Sequence, residues 1–139
     1  MVALSTSLET AIYNVAVANT TLWNSVSGKM KHGRPIAGWK TPYVTYSYPN
    51  LPGSNVYGAN APRVFSLTIY FDIFSSEVLF SAEAGPIAGY IRTVFDGASL
   101  PLAGFNDTVI KLGNERTIET EDTGLWHIQI SYNGMVCAT

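Results

Sequence analysis

The sequence predicts an α+β domain: a single antiparallel β-sheet of about four strands with two helices packed on one face. Three observations lead there. Residues 65–75, FSLTIYFDIFS, alternate with period two. Phe65, Leu67, Ile69, Phe71 and Ile73 make a wholly apolar face, and Ser66, Thr68, Tyr70, Asp72 and Phe74 a mixed one. A second alternating run closes the chain, with Trp126, Ile128, Ile130 and Tyr132 on one side and Leu125, His127, Gln129 and Ser131 on the other. Two segments of helical period supply cover for the apolar faces. Strands that are apolar on one side only need helices on that side only.

The elements follow in order. Thr6-x-x-Glu9 has the form of a capping box, and Leu8, Ile12, Val15 and Ala16 recur at helical spacing, which predicts a helix over about 7–18. A short second turn passes through Leu22, Trp23 and Val26 and stops at Gly28. Residues 29–40, KMKHGRPIAGWK, have no period and read as loop. Residues 42–49, PYVTYSYP, read as a strand bounded by prolines. Residues 50–62, NLPGSNVYGANAP, form a long irregular loop, a kind of segment that is usually functional or mobile.

The FSLTIYFDIFS strand covers about 63–74. A helix over about 76–95 follows, with Ser75 or Ser76 as N-cap, Glu77 and Glu83 near its positive end, and a kink or break expected at Gly85-Pro86. Residues 98–107 connect, and 108–115 read as a strand. Residues 116–122 are acidic and ambiguous, and 124–138 form the closing strand. The polar side of this sheet would show Thr45, Ser47, Thr68, Asp72, Lys111, His127 and Gln129. A chain of 139 residues without a linker or internal repeat reads as one domain, 1–139.

Composition narrows the function. Charged residues make up 13% of the chain, about half the usual share, and aromatics 12%, so the surface is suited to being covered by neighbours. One cysteine, Cys137, makes no internal disulfide. The first residues lack a basic segment and a long apolar run, which predicts a cytoplasmic product with no membrane association. Charge is unevenly spread. Residues 1–70 hold Lys29, Lys31, Arg34, Lys40 and Arg63 against Glu9; residues 71–139 hold Arg92, Lys111 and Arg116 against nine acids. The asymmetry fits plain solvation, or two unlike edges that orient copies around a ring.

Catalytic signatures are missing. The two histidines, His32 and His127, are not at ligand spacing, and there is no Cys-x-x-Cys, nucleophile elbow or phosphate-binding glycine loop. No enzyme activity, metal or cofactor is expected. Glu115, Glu119, Glu121 and Asp122 read as a solvated loop, as a carboxylate pair or hard-cation site, or as an acidic lining that lets DNA pass without sticking. Lys29, Lys31 and Arg34 suit a phosphate contact or an edge facing an acidic neighbour. Trp39 and Tyr57 read as core or as interface anchors.

The order of segments resembles a known family. An N-terminal helix leads into LWNSVSGKM (22–30), Pro42-Tyr43-Val44 opens a strand, and LTIYFDIFS (67–75) precedes a helix ending in FDGASLPLAG (95–104). GLWHIQISYNGM (124–135) closes the chain. This is similar to the tail terminator, or tail completion, proteins of long-tailed bacteriophages. The resemblance implies a small α+β protein that forms a homohexameric ring in the virion neck after assembly in the host cytoplasm. It also implies the partners: the major tail tube protein, whose polymerisation the ring stops, and the head-closure or connector protein. DNA would pass non-specifically through the lumen. The family supplies no residues of defined chemical role, so none are carried over. Alternatives are another neck or tail component, such as a head-closure protein or tube subunit, and a monomeric ligand-binding adaptor with one apolar pocket.

Overall fold

The structure, a computed structural model, describes residues 4–49, 64–76, 80–105, 108–120 and 125–137. Helix α1 spans Leu4–Ala18 and α2 spans Thr20–Ser25. Strands β1 (Met30–His32), β2 (Tyr43–Ser47) and β3 (Val64–Ser76) follow, then helix α3 (Phe80–Phe95). Strands β4 (Ser99–Leu100), β5 (Thr108–Val109), β6 (Lys111–Thr120) and β7 (Leu125–Cys137) complete the chain.

The main sheet has five strands in the order β1-β2-β3-β7-β6, and β4 and β5 form a separate two-stranded ribbon. This corrects the expected sheet in two ways: it has five strands, and it is mixed, because β1 pairs with β2 in parallel. The physical reason is that β1 is only three residues long, too short to display an alternation, and it is held by pairing with a distant strand. Its Met30 is 5% exposed and stands opposite the fully buried Val44. The other pairings are antiparallel.

One core joins the helices to one face of the sheet. Leu67, Ile69, Phe71 and Ile73 of β3 are buried, as their alternation predicts, while the Phe65 side chain lies outside the described residues. They meet Val44 and Tyr46 from β2 and Ile128, Ile130, Tyr132 and Val136 from β7. Leu4, Leu8, Ala11, Ile12 and Ala16 of α1, Leu22 of α2, and Ala84, Ile87, Ala88, Ile91 and Phe95 of α3 enter the same cluster. Phe71 is its centre, with the Phe95 ring 4.6 Å away and Tyr132 and Tyr46 at 5.8 and 6.0 Å.

Local signals were overridden at several ends. Helix α1 starts at Leu4, so Thr6 lies inside the first turn and does not cap it; the apolar stripe continues through Leu4 and draws that turn into the core. The short turn is a true helix: Asn19 Oδ1 accepts from Leu22 N–H at 2.9 Å. It ends through Gly28, at φ +72°, whose N–H donates to Trp23 O at 2.9 Å. Ser75 and Ser76 end strand β3, and Ser75 Oγ donates to Glu83 Oε2 at 2.9 Å, tying β3 to the first turn of α3; how the helix is capped lies with residues 77–79, outside the described residues. Pro86 lies within α3 without ending it. Buried neighbours on both sides, Ala84, Ile87 and Ala88, anchor the helix across the lost hydrogen bond. The ambiguous segment from 116 to 120 belongs to β6. The expected loop over 50–62, with Tyr57, lies outside the described residues.

Candidate functional site

With the helices on one side, the opposite sheet face and the two edge strands remain for contact. The open face carries ordered cross-strand rows. Lys31, Thr45, Asp72, Gln129 and Arg116 stand level across the five strands. Arg116 Nε donates to Gln129 Oε1 at 2.9 Å, and Gln129 Nε2 donates to Asp72 Oδ1 at 3.1 Å. His127 Nε2 lies 3.3 Å from the same Asp72 oxygen, and both side chains are 16% exposed. Neighbouring side chains thus exclude water from a face that alternation alone marks as wet; Thr45 is buried outright.

That burial governs the titration of the pair. Desolvation raises the Asp72 pKa above the usual carboxylate value, against the opposing pull of His127, Gln129 and Arg116. It lowers the His127 pKa against the pull of Asp72, with the Arg116 charge acting in the same downward direction. One row along, the face is aromatic. Trp39 packs on Tyr43 at 6.0 Å, Tyr43 stacks on Phe74 at 5.0 Å, and Phe74 meets His127 at 4.7 Å.

On the other side of the polar row the face opens into two hollows. The first, about 250 Å³, is lined by Tyr70, Asn114, Arg116, Gln129 and Ser131. The second is a shallow groove of about 700 Å³ whose lining includes Ser66, Thr68, Val109, Leu112, Asn133 and Met135. Thr68 Oγ1 donates to Asn133 Oδ1 at 3.0 Å on its floor.

The residues singled out in the sequence are distributed as follows. Lys31 is exposed on edge strand β1, and Arg34 is exposed in the loop after it. Lys29 is partly buried, its Nζ donating to the Lys40 carbonyl. Trp39 is half-buried against Tyr43, so this flank gathers Lys29, Lys31 and Trp39. No carboxylate occurs between Glu9 and Asp72, so β1 and β2 carry no acids of their own; Glu9 of α1 lines a hollow beside them with Lys31, His32 and Tyr46. Tyr57 lies outside the described residues. Glu115 stands on β6 in an ion pair with Arg92 of α3 at 2.5 Å. Glu119 lies within β6 with its side chain outside the described residues, as are Glu121 and Asp122 entirely. Among the described residues, no three His, Cys, Asp or Glu side chains cluster as a metal site. No described helix is long and apolar enough to cross a membrane.

Sequence reading placed Asp72, His127 and Gln129 on one face but missed their linkage, and it missed Arg116 and Asn114 as members of that face. The legible part of the signal was the alternation of polar side chains on β3 and β7; which of them stand side by side, and that Arg116 and Asn114 of β6 join them, depends on register.

No family model matches the chain, and no curated protein matches it. Solved structures do. The chain is similar to one in the virion of a native gene transfer agent particle, with a TM-score of 0.76 at 15% identity, covering 99% of this chain and 100% of that one. A second solved chain is similar at a TM-score of 0.66 and 13% identity, over 97% of this chain and 94% of that one. The fold is shared end to end. At such identities the likeness concerns the fold, and the function has to be argued.

Proposed function

We propose that this protein is a structural component of a phage-like virion: a tail terminator that forms a hexameric ring at the neck. The ring caps the tail tube, stops its polymerisation, and joins the tail to the head connector while DNA passes through the lumen. It acts by docking and shape, with no bond-making step and no cofactor. The observation that carries the reading is the end-to-end likeness to a chain of a gene transfer agent virion.

Two features of the chain support ring closure. A ring needs a head-to-tail contact between two different surfaces of each copy. The sheet offers two different edges, β1 and β6, and the pairing pattern makes them run in opposite directions. A neighbour placed head to tail would therefore bring β6 antiparallel to β1, the geometry favoured in sheet pairing. Strands β1 and β2 carry Lys31 and no acids of their own, while most of the acids lie in the second half of the chain, which adds a charge difference between the edge strands.

The test is to measure the mass of the purified full-length chain alone and with tail tubes, and to image the mixture by electron microscopy. The expected result is a six-copy ring at one tube end, with tube length limited by its addition. Long polymers of the chain itself would favour a tube subunit. A species that stays monomeric and never locates at a tube end would overturn the proposal.

A further inference from the structure

The two hollows of the open face lie one after the other along β7, the first lined by its Gln129 and Ser131 and the second by its Asn133 and Met135, and their chemistry differs. Three of the large exposed hydrophobic side chains among the described residues line the wider groove: Val109 is 51% exposed, Leu112 42% and Met135 55%. They come from three separate strands, so the patch is a product of the fold and not of a local apolar run. Grouped exposure of this kind marks a contact surface, and a flexible methionine suits an apolar anchor of varied shape.

The other end is a polar hollow with a cation. Arg116 is exposed and donates through Nε to Gln129, and no described carboxylate pairs with its terminal amino groups. Asn114, Ser131 and Tyr70 add hydrogen-bonding groups around it. Asp72, the nearest described carboxylate on this face, is already engaged by Gln129 and His127. Lys111 lines the wider groove and adds a second positive charge.

We propose that this strip docks a segment of a partner polypeptide carrying an apolar side chain and a carboxylate. The apolar group rests on Met135 and Val109, and the carboxylate meets the open fork of the Arg116 guanidinium. A planar carboxylate suits that fork because two N–H groups can donate to its two oxygens in parallel. Gln129 and Met135 are six residues apart on β7, so the two anchors stand about 20 Å apart. A nucleic-acid strand is a poorer occupant: its repeating phosphates call for a track of cations, and here two cations flank an apolar patch. The inference rests on side chains of this face, those of edge strand β6 included, and it stands whether or not the backbone of that edge pairs with a neighbouring copy.

The experiment uses the full-length chain labelled at the Met135 methyl and the Arg116 Nε–H. The probe is a synthetic peptide of about seven residues with Leu at one end and Glu at the other, long enough to span the strip when extended. The expected result is shifts at both labels and about tenfold weaker binding when the peptide's Glu is replaced by Gln, the loss of one charge-assisted contact. Arg116→Gln in the protein removes that preference, and Met135→Ser weakens both peptides alike. Both positions are exposed, so the variants retain the fold. Equal affinity for the two peptides, no shifts at millimolar peptide, or stronger displacement by a single-stranded oligonucleotide would each overturn the proposal. A chain that fails to form rings yet binds the Glu peptide in this way would separate the docking strip from the ring reading.

Discussion

Gly134→Ala is the sharpest probe of the packing beneath the closing strand. An alanine Cβ at this position would stand 2.9 Å from Thr108 Cγ2, 3.1 Å from the Val109 carbonyl oxygen and 3.2 Å from Ile110 Cγ2. The opposing segment cannot easily withdraw. Gly97 N–H donates to Ile110 O at 2.8 Å, Ile110 N–H donates to Ala98 O at 3.0 Å, and Thr108 Oγ1 donates back to Met135 O at 3.3 Å. Thr108 and Ile110 are essentially fully buried. Overpacking of this type costs about 1–3 kcal/mol. Reduced freedom of the unfolded chain returns about 0.4–1 kcal/mol when glycine becomes alanine. The net expectation is a loss of about 1–2 kcal/mol, or a Tm lower by roughly 3–8 °C for a chain of this size. Gly89→Ala is the internal control. Gly89 lies inside α3 and its Cβ would meet only Arg92 Nη2 at 3.9 Å, an ordinary contact, so the same substitution should stabilise by about 0.5–1 kcal/mol. Urea unfolding of both variants at one fixed protein concentration reads the two signs, since self-association would otherwise shift the midpoint. A Gly134→Ala protein as stable as the parent would refute the tight contact between β7 and the β5 segment.

Three further outcomes follow from the same structure. The His127 pKa is lowered by folding, so the unfolded chain takes up the proton first; stability should fall as pH drops through the ordinary imidazole value of 6.5, and His127→Gln should flatten that dependence in urea titrations. Asp72 acts with the opposite sign, its raised pKa favouring the folded state at lower pH, which places the clean test of His127 above the carboxylate range. Phe71→Ala, at a fully buried ring flanked by Phe95, Tyr132 and Tyr46, should cost about 3–5 kcal/mol and unfold a large share of the population, read by near-ultraviolet circular dichroism. Arg92→Ala breaks an ion pair whose side chains are 39% and 36% exposed, so its cost should stay below about 1 kcal/mol and shrink with added salt.

What the sequence by itself determined was every feature whose cause is local. The period-two pattern of residues 65–75 named the buried side of β3, and Leu67, Ile69, Phe71 and Ile73 are indeed in the core. The closing strand, the helices ending near Ala18 and Phe95, and the division of β7 into an apolar and a polar side were legible for the same reason. Only the tertiary structure decided what depends on partners distant along the chain. Strand β1 exists because Met30 finds Val44, and three residues carry no period of their own. Gln129 reaches Asp72 across 57 positions, and Arg116 joins them only once β6 is laid beside β7 in register. Alternation states which side of a strand a residue faces; register and strand order state what stands next to it. The polar row and the docking strip on the open face belong to that second kind of information.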